Sequence, residues 1–218
     1  MLDIKIKICC ISNLEEAKLA ITYGATAIGL VSAMPSGPGV ITEEQIAEIA
    51  NSVPEHIETF LLTSKQNVKS IIAQLRKCKT NTVQIVDKLI DGTYAQIKSE
   101  LPNVKIVQVL HVQDEKSILE AIEINRKVDA ILLDSGNQNL GVKILGGTGK
   151  THNWEISKKI VEAINVPVYL AGGLFSGNVV EAIKTVKPFG VDLCSGVRTN
   201  NKLDKYKLQD FFNAIKSI

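Results

Sequence analysis

Three side chains in this sequence close strand-like runs and can exchange protons near neutral pH: Cys9, His111 and Asp134. A thiolate serves as a base or nucleophile, and a carboxyl that keeps its proton serves as an acid. Lys7 lies two residues before Cys9, so on a strand the two share a face, and the ammonium favours the thiolate. An acid and a base facing one ligand suit proton transfer on a small molecule. Each residue also has a plainer role when taken singly. Cys9 reads as buried apolar filler, Asp134 as a cap on the turn at Ser135, and His111 as an ordinary surface histidine in place of a proton shuttle. Cys10 and Cys194 read as packing residues.

A second set of residues suits anion binding. Ala171-Gly172-Gly173-Leu174 and Cys194-Ser195-Gly196-Val197 each follow a β-branched run. Glycines there let backbone N–H groups approach a phosphate closely, although glycine also ends strands for plain turn chemistry. A long interval between Asp134 and Asn153 holds Gly146-Gly147-Thr148-Gly149. Such a loop reads as a lid or binding loop, with a surface insertion as the alternative.

The elements that must position these groups follow from period. Strands are predicted to start near Ile4, Thr26, Ile57, Thr82, Val104, Val128, Pro167 and Val191. Helical patterns run over Leu14 to Tyr23, Thr42 to Asn51, Gln66 to Arg76, Glu115 to Asn125, Trp154 to Ile164, Asn178 to Val186 and Leu203 to Ile218, with a weaker one over Gly92 to Glu100. Thr42-Glu43-Glu44-Gln45 reads as a capping box, and Asn153 precedes the Trp154 helix. Strand-helix alternation implies an α/β fold with a parallel sheet, open or closed. Eight near-equal units favour a single-domain (β/α)8 TIM barrel over residues 1–218.

In such a barrel Ile4, Ile6 and Ile8 face the helices, whereas Lys5, Lys7 and Cys9 point inward and need partners. Glu58, Asp129 and Asp192 are the candidates. For Lys5, an internal pair and an exit to the lower rim are equally open. Chemistry belongs where strands end, at Cys9, Ser32, Thr63, Val86, His111, Asp134, Gly172 and Ser195, and phosphate belongs after strands seven and eight.

Composition narrows the partners. The 218 residues carry 25 basic and 23 acidic side chains with no basic run, which argues against nucleic acid. No apolar stretch reaches the roughly 18 residues of a membrane span. Four cysteines without Cys-x-x-Cys spacing fit a reducing cytoplasm. A small phosphorylated molecule is the expected partner, and monomer and homodimer both stay open.

These residues resemble the phosphoribosylanthranilate isomerase family of tryptophan biosynthesis. Lys7-Ile8-Cys9-Cys10-Ile11-Ser12 is similar to that family's opening Lys-Ile-Cys-Gly-Ile-Thr. The likeness continues in order through Gly24 to Gly29, Leu132 to Ser135, Gly146 to Thr151, Trp154, Leu170 to Leu174, Asn178-Val179 and Gly190 to Val197. The resemblance implies an Amadori rearrangement, an aldose-ketose isomerisation in which an acid opens the ribose ring to a Schiff base and a base removes the C2 proton. Asp134 would be the acid and Cys9 the base. Gly172, Gly173, Ser195 and Gly196 would hold the phosphate, with Lys7, Gly146, Gly147 and Asp192 also toward the substrate. The reaction it implies calls for no metal and no organic cofactor. A paralogue acting on another sugar phosphate or N-phosphoribosyl amine, and a non-catalytic phosphate-binding barrel, are the alternatives.

The pattern departs on the amine side. The family carries Ser-Pro-Arg after strand two, its arginine expected to bind the anthranilate carboxylate, whereas this chain reads Pro35-Ser36-Gly37-Pro38-Gly39-Val40. Where the family reads Gln-Leu-His-Gly, this chain reads Gln84-Ile85-Val86-Asp87. Lys65, Lys88 or Arg198 would be the replacement cation. Cys10 stands in place of a glycine and crowds the turn after the base.

Overall fold

The computed structural model describes residues 4–136 and 151–216. Eight parallel strands close a barrel in sequence order: β1 (Lys5–Ile8), β2 (Ala27–Val31), β3 (Glu58–Thr63), β4 (Thr82–Ile85), β5 (Lys105–His111), β6 (Ala130–Asp134), β7 (Val168–Leu170) and β8 (Gly190–Leu193). The helices between and after them are α1 (Leu14–Tyr23), α2 (Glu43–Ser52), α3 (Val68–Cys78), α4 (Tyr94–Glu100), α5 (Lys116–Ile124), α6 (Trp154–Ala163), α7 (Val179–Val186) and α8 (Lys205–Lys216). A 3₁₀ turn, Ser195–Val197, and an antiparallel pair, β9 (Arg198–Thr199) with β10 (Lys202–Leu203), intervene before α8. The closed barrel expected from the eight-fold alternation is therefore present. Among the described residues no helix is long and apolar enough to cross a membrane.

Local chemistry sets the helix starts. Asn13 Oδ1 accepts from the Glu16 N–H at 2.9 Å, and Thr42 and Gln45 form the expected capping box. Asn153 Oδ1 accepts from the Glu155 N–H at 3.0 Å. These contacts satisfy N–H groups that have no partner within the helix. Between sheet and helices lies one apolar layer, with Ile6 and Ile8 of β1 packed among Ile28, Leu61, Ile71 and Phe211.

A second cluster fills the barrel interior and includes Cys9, Phe60, Leu62, Val107, Leu132 and Tyr169. The strand alternation thus divides β1 as expected, with isoleucines outward and Lys7 and Cys9 inward. Phe60 and Tyr169 meet edge to face at 5.7 Å between centroids, and the Lys7 ammonium sits 5.1 Å above the Phe60 ring.

Candidate active site

The β1–β8 register sets Lys7 directly opposite Asp192, and Lys7 Nζ donates to Asp192 Oδ1 at 2.8 Å. Lys7 is wholly enclosed, at 0% exposure. Burial works against its charge, yet the nearby Asp192 carboxylate and the two thiols outweigh that and hold its pKa above the ordinary value. Of the three expected carboxylates, then, Asp192 serves Lys7. Glu58 pairs with Lys105, and Asp129 pairs with Lys98 at 2.6 Å. Lys5 and Glu58 both open onto the lower rim.

Cys9 is positioned from both neighbouring strands. Its N–H donates to Leu193 O at 2.7 Å, and a Cβ on Gly29 of β2 would lie 2.7 Å from Cys9 Sγ and 3.0 Å from Lys7 Nζ. Glycine at position 29 makes the room that both side chains occupy. A hydrogen bond from the Cys10 thiol, and then the Lys7 charge, hold the Cys9 pKa below the usual thiol range despite burial.

Asp134 ends β6 beside His111 of β5 in the strand register. Its Oδ1 accepts the Ser135 N–H at 2.7 Å. Burial nevertheless raises its pKa above the ordinary carboxyl value, with Ser135 and the His111 ring opposing the shift. His111 corrects the surface-histidine expectation: it is buried, its Nε2 lies 3.3 Å from Val86 O, and its Nδ1 has no partner among the described residues. It opens toward the α5 side and is not among the residues that line the cavity holding Asp134.

One cavity at the strands' C-terminal ends brings together Cys9, Asp134, Asp192, Gly172, Gly173 and Ser195. Gly172 and Gly173 both adopt positive φ, 86° and 61°, a conformation that side chains with a Cβ rarely take. Asn178 fastens this turn, accepting the Phe175 N–H at 2.9 Å and donating to Gly173 O at 3.0 Å. The turn after β8 packs directly against it, since a Cβ on Gly196 would lie 1.9 Å from Leu174 O. Two glycine turns, the second of them the 3₁₀ turn, thus converge on one corner, which suits an anion bound by backbone N–H groups. Gly146 and Gly147, together with the rest of the expected lid over 137–150, lie outside the described residues. Among the described residues no group of three His, Cys, Asp or Glu side chains could hold a metal ion.

The opposite wall of the cavity comes from β2, β3 and β4 and the loop after β2: Val31, Met34, Ser36, Pro38, Leu62 and Gln84. Among the described residues Lys and Arg are absent from the lining. The candidate replacement cations are engaged elsewhere or lie off the cavity. Lys88 pairs with Glu120 at 2.7 Å, and Lys65 does not reach the lining.

Arg198 is enclosed behind β1 and has a different task from the one expected. Its Nη1 and Nη2 donate to Glu16 at 3.0 Å each, and Nη2 also donates to Cys10 O at 2.6 Å and Cys9 O at 3.2 Å. The guanidinium thereby clamps a turn in which Cys10, a residue with a Cβ, takes φ 63°. Sequence reasoning missed this role, because Arg198 and Glu16 are separated by 182 positions. Cys10 and Cys194 pack in the interior cluster as expected, and both also line the cavity, with their sulfurs 2.6 Å apart. Leu62, missed as a wall residue, was findable by alternation from Phe60.

The family model of N-(5'phosphoribosyl)anthranilate (PRA) isomerase matches residues 6–214. The N-(5'-phosphoribosyl)anthranilate isomerase of Pelobacter propionicus is 36% identical over 214 residues, spanning 98% of this chain and 96% of its own. That of Methanocella arvoryzae is 30% identical over 213 residues, spanning 97% and 98%. The solved structure of the Pyrococcus furiosus enzyme superposes with a TM-score of 0.81 at 25% identity, over 99% of this chain and 100% of that one. Barrel topology and an end-to-end sequence match agree, and the chain belongs to the N-(5'-phosphoribosyl)anthranilate isomerase family.

Proposed function

We propose that this chain catalyses the Amadori rearrangement of N-(5'-phosphoribosyl)anthranilate, with Asp134 as general acid and Cys9 as general base. The observation that carries the assignment is that the two groups line one cavity with acidities displaced in opposite directions. The acid must hold a proton when substrate arrives and the base must lack one. Each tenfold by which the two acidities approach one another gives about tenfold more of that productive state.

The carboxyl of Asp134 donates its proton to the ribose ring oxygen as the C1–O bond breaks, and the amine nitrogen's lone pair forms the Schiff base. Cys9 thiolate then takes the C2 proton, and the electron pair moves through C1 to nitrogen, leaving an enol that relaxes to the aminoketone. Gly172, Gly173, Ser195 and Gly196 hold the phosphate and fix the sugar between the two groups. Asp192 keeps Lys7 in place under Cys9, and the enclosed Lys7 acts on the thiol without touching substrate. Each proton-transfer group supplies roughly 10²–10⁴-fold.

Turnover of substrate generated in situ, followed by loss of its anthranilate-type fluorescence, tests the reading. Cys9→Ala and Asp134→Asn should each lose roughly 10²–10⁴-fold in kcat. Full turnover in either variant would assign that role to another residue. Ribose phosphate binding without turnover in the folded wild type would favour the phosphate-binding barrel.

A further inference from the structure

We propose that Cys10 and Cys194 form a reversible disulfide on exposure to a low-molecular-weight disulfide, placing a thiol modification site within the cavity. The two sulfurs lie 2.6 Å apart although the residues are 184 positions apart, closer than two unbonded sulfurs normally approach. The backbone already holds them there: Ile8 of β1 pairs with Leu193 of β8, and the Cys9 N–H bonds to Leu193 O. Continued by one step, this register sets Cys9 beside Cys194, and the turn at Cys10, with its φ of 63°, brings the Cys10 sulfur against that of Cys194, so that closing to the roughly 2.05 Å of a disulfide needs little movement.

The surroundings leave Cys10 few other directions. A Cβ on Gly39 would lie 2.6 Å from Cys10 Cβ, so the loop after β2 presses on that side, and Arg198 fixes the Cys10 carbonyl. Cys194 is the more exposed of the pair and opens to the cavity, which makes it the point of attack. Its thiolate attacks one sulfur of the small disulfide, forming a mixed disulfide and expelling one small thiolate. Cys10 then gives its proton to water and attacks Cys194 Sγ, expelling the second. Two protein thiols are oxidised by two electrons, and one small disulfide is reduced to two thiols.

Oxidation removes the Cys10 S–H that donates to Cys9 and ties the turn after the base to the phosphate turn. Turnover should therefore fall. This consequence rests on the isomerase reading, whereas the bond itself does not.

The test uses oxidised glutathione on the reduced full-length chain, followed by alkylation and peptide mapping without reduction. The expected product joins the Cys10 and Cys194 peptides, and it forms in Cys9→Ala but not in Cys10→Ala. Wild-type turnover should drop about tenfold or more and return with dithiothreitol, while the oxidised-to-reduced ratio of Cys194→Ser stays near one. A map showing glutathione only on Cys9, or equal inhibition of Cys194→Ser, would overturn the proposal. Because the map reads the bond directly, failure of the isomerase reading would leave that arm intact.

Discussion

The two walls of the cavity are built in different ways. On the β7–β8 side the wall is built largely from glycine-containing turns, and the turn after β8 packs so closely on the turn after β7 that a Cβ on Gly196 would lie 1.9 Å from Leu174 O. On the β2–β4 side the wall is made of side chains, Val31, Met34, Leu62 and Gln84, on ordinary strand backbone or in the loop after β2. A backbone-built wall cannot change one residue without moving the chain. A side-chain wall can exchange residues while the barrel stays intact, and the loop at Ser36, Gly37 and Pro38, where the sequence departs from the pattern it resembles, lies on that side.

The sharpest way to break that contrast is Gly196→Ala. The added methyl meets Leu174 O, so the two turns must part and their N–H groups lose aim. Loss of two charge-assisted contacts of about 1.5–3 kcal/mol each predicts a KM rise of roughly 100-fold or more, read by steady-state kinetics and by competition with inorganic phosphate. A KM within a few-fold of wild type would mean that these amides do not carry the phosphate.

Arg198 joins the base's turn to the β8 side, and Arg198→Leu leaves Glu16 enclosed without its cation. The expected loss is about 3–5 kcal/mol of stability, measured by urea unfolding. The same pair has a pH signature. Burial works against the Glu16 charge, but the bonds from Arg198 and the Leu203 N–H hold its pKa below the ordinary value. The stabilisation is thus present above the ordinary glutamate range and is lost as pH falls through the depressed folded pKa. Unfolding midpoints across an acid series should fall steeply in wild type and less so in Glu16→Gln.

Cys10→Ala removes the hydrogen bond that does most to lower the Cys9 pKa. The alkaline limb of the kcat/KM profile should move to higher pH, and kcat/KM at neutral pH should fall, because less thiolate coexists with protonated Asp134. An unmoved limb would leave Lys7 as the group that sets the base. The smallest effects belong to the side-chain wall. Met34→Ala should change KM by less than about tenfold with kcat nearly constant. An aniline-derived substrate should lose less than the roughly tenfold that one charge-assisted contact is worth, since no cation lines the described wall. A larger loss would place a carboxylate-binding group there.

Much of this arrangement was legible before any coordinates. Strand and helix periods depend on neighbouring residues, so eight strands, eight helices, the Thr42 and Asn153 caps and the inward face of β1 could be read locally. The same alternation put Cys9 and Asp134 at strand ends, where a barrel holds its chemistry. Tertiary structure alone decided which charges meet. Asp192 took Lys7 while Glu58 and Asp129 served other lysines, because the β1–β8 register sets the distance and sequence separation does not. It likewise enclosed His111, turned Arg198 from a candidate ligand cation into a clamp on the Cys9–Cys10 carbonyls, and brought Cys10 against Cys194. In each case the partner lies on another strand or loop, and only closure of the barrel brings such groups within hydrogen-bonding range.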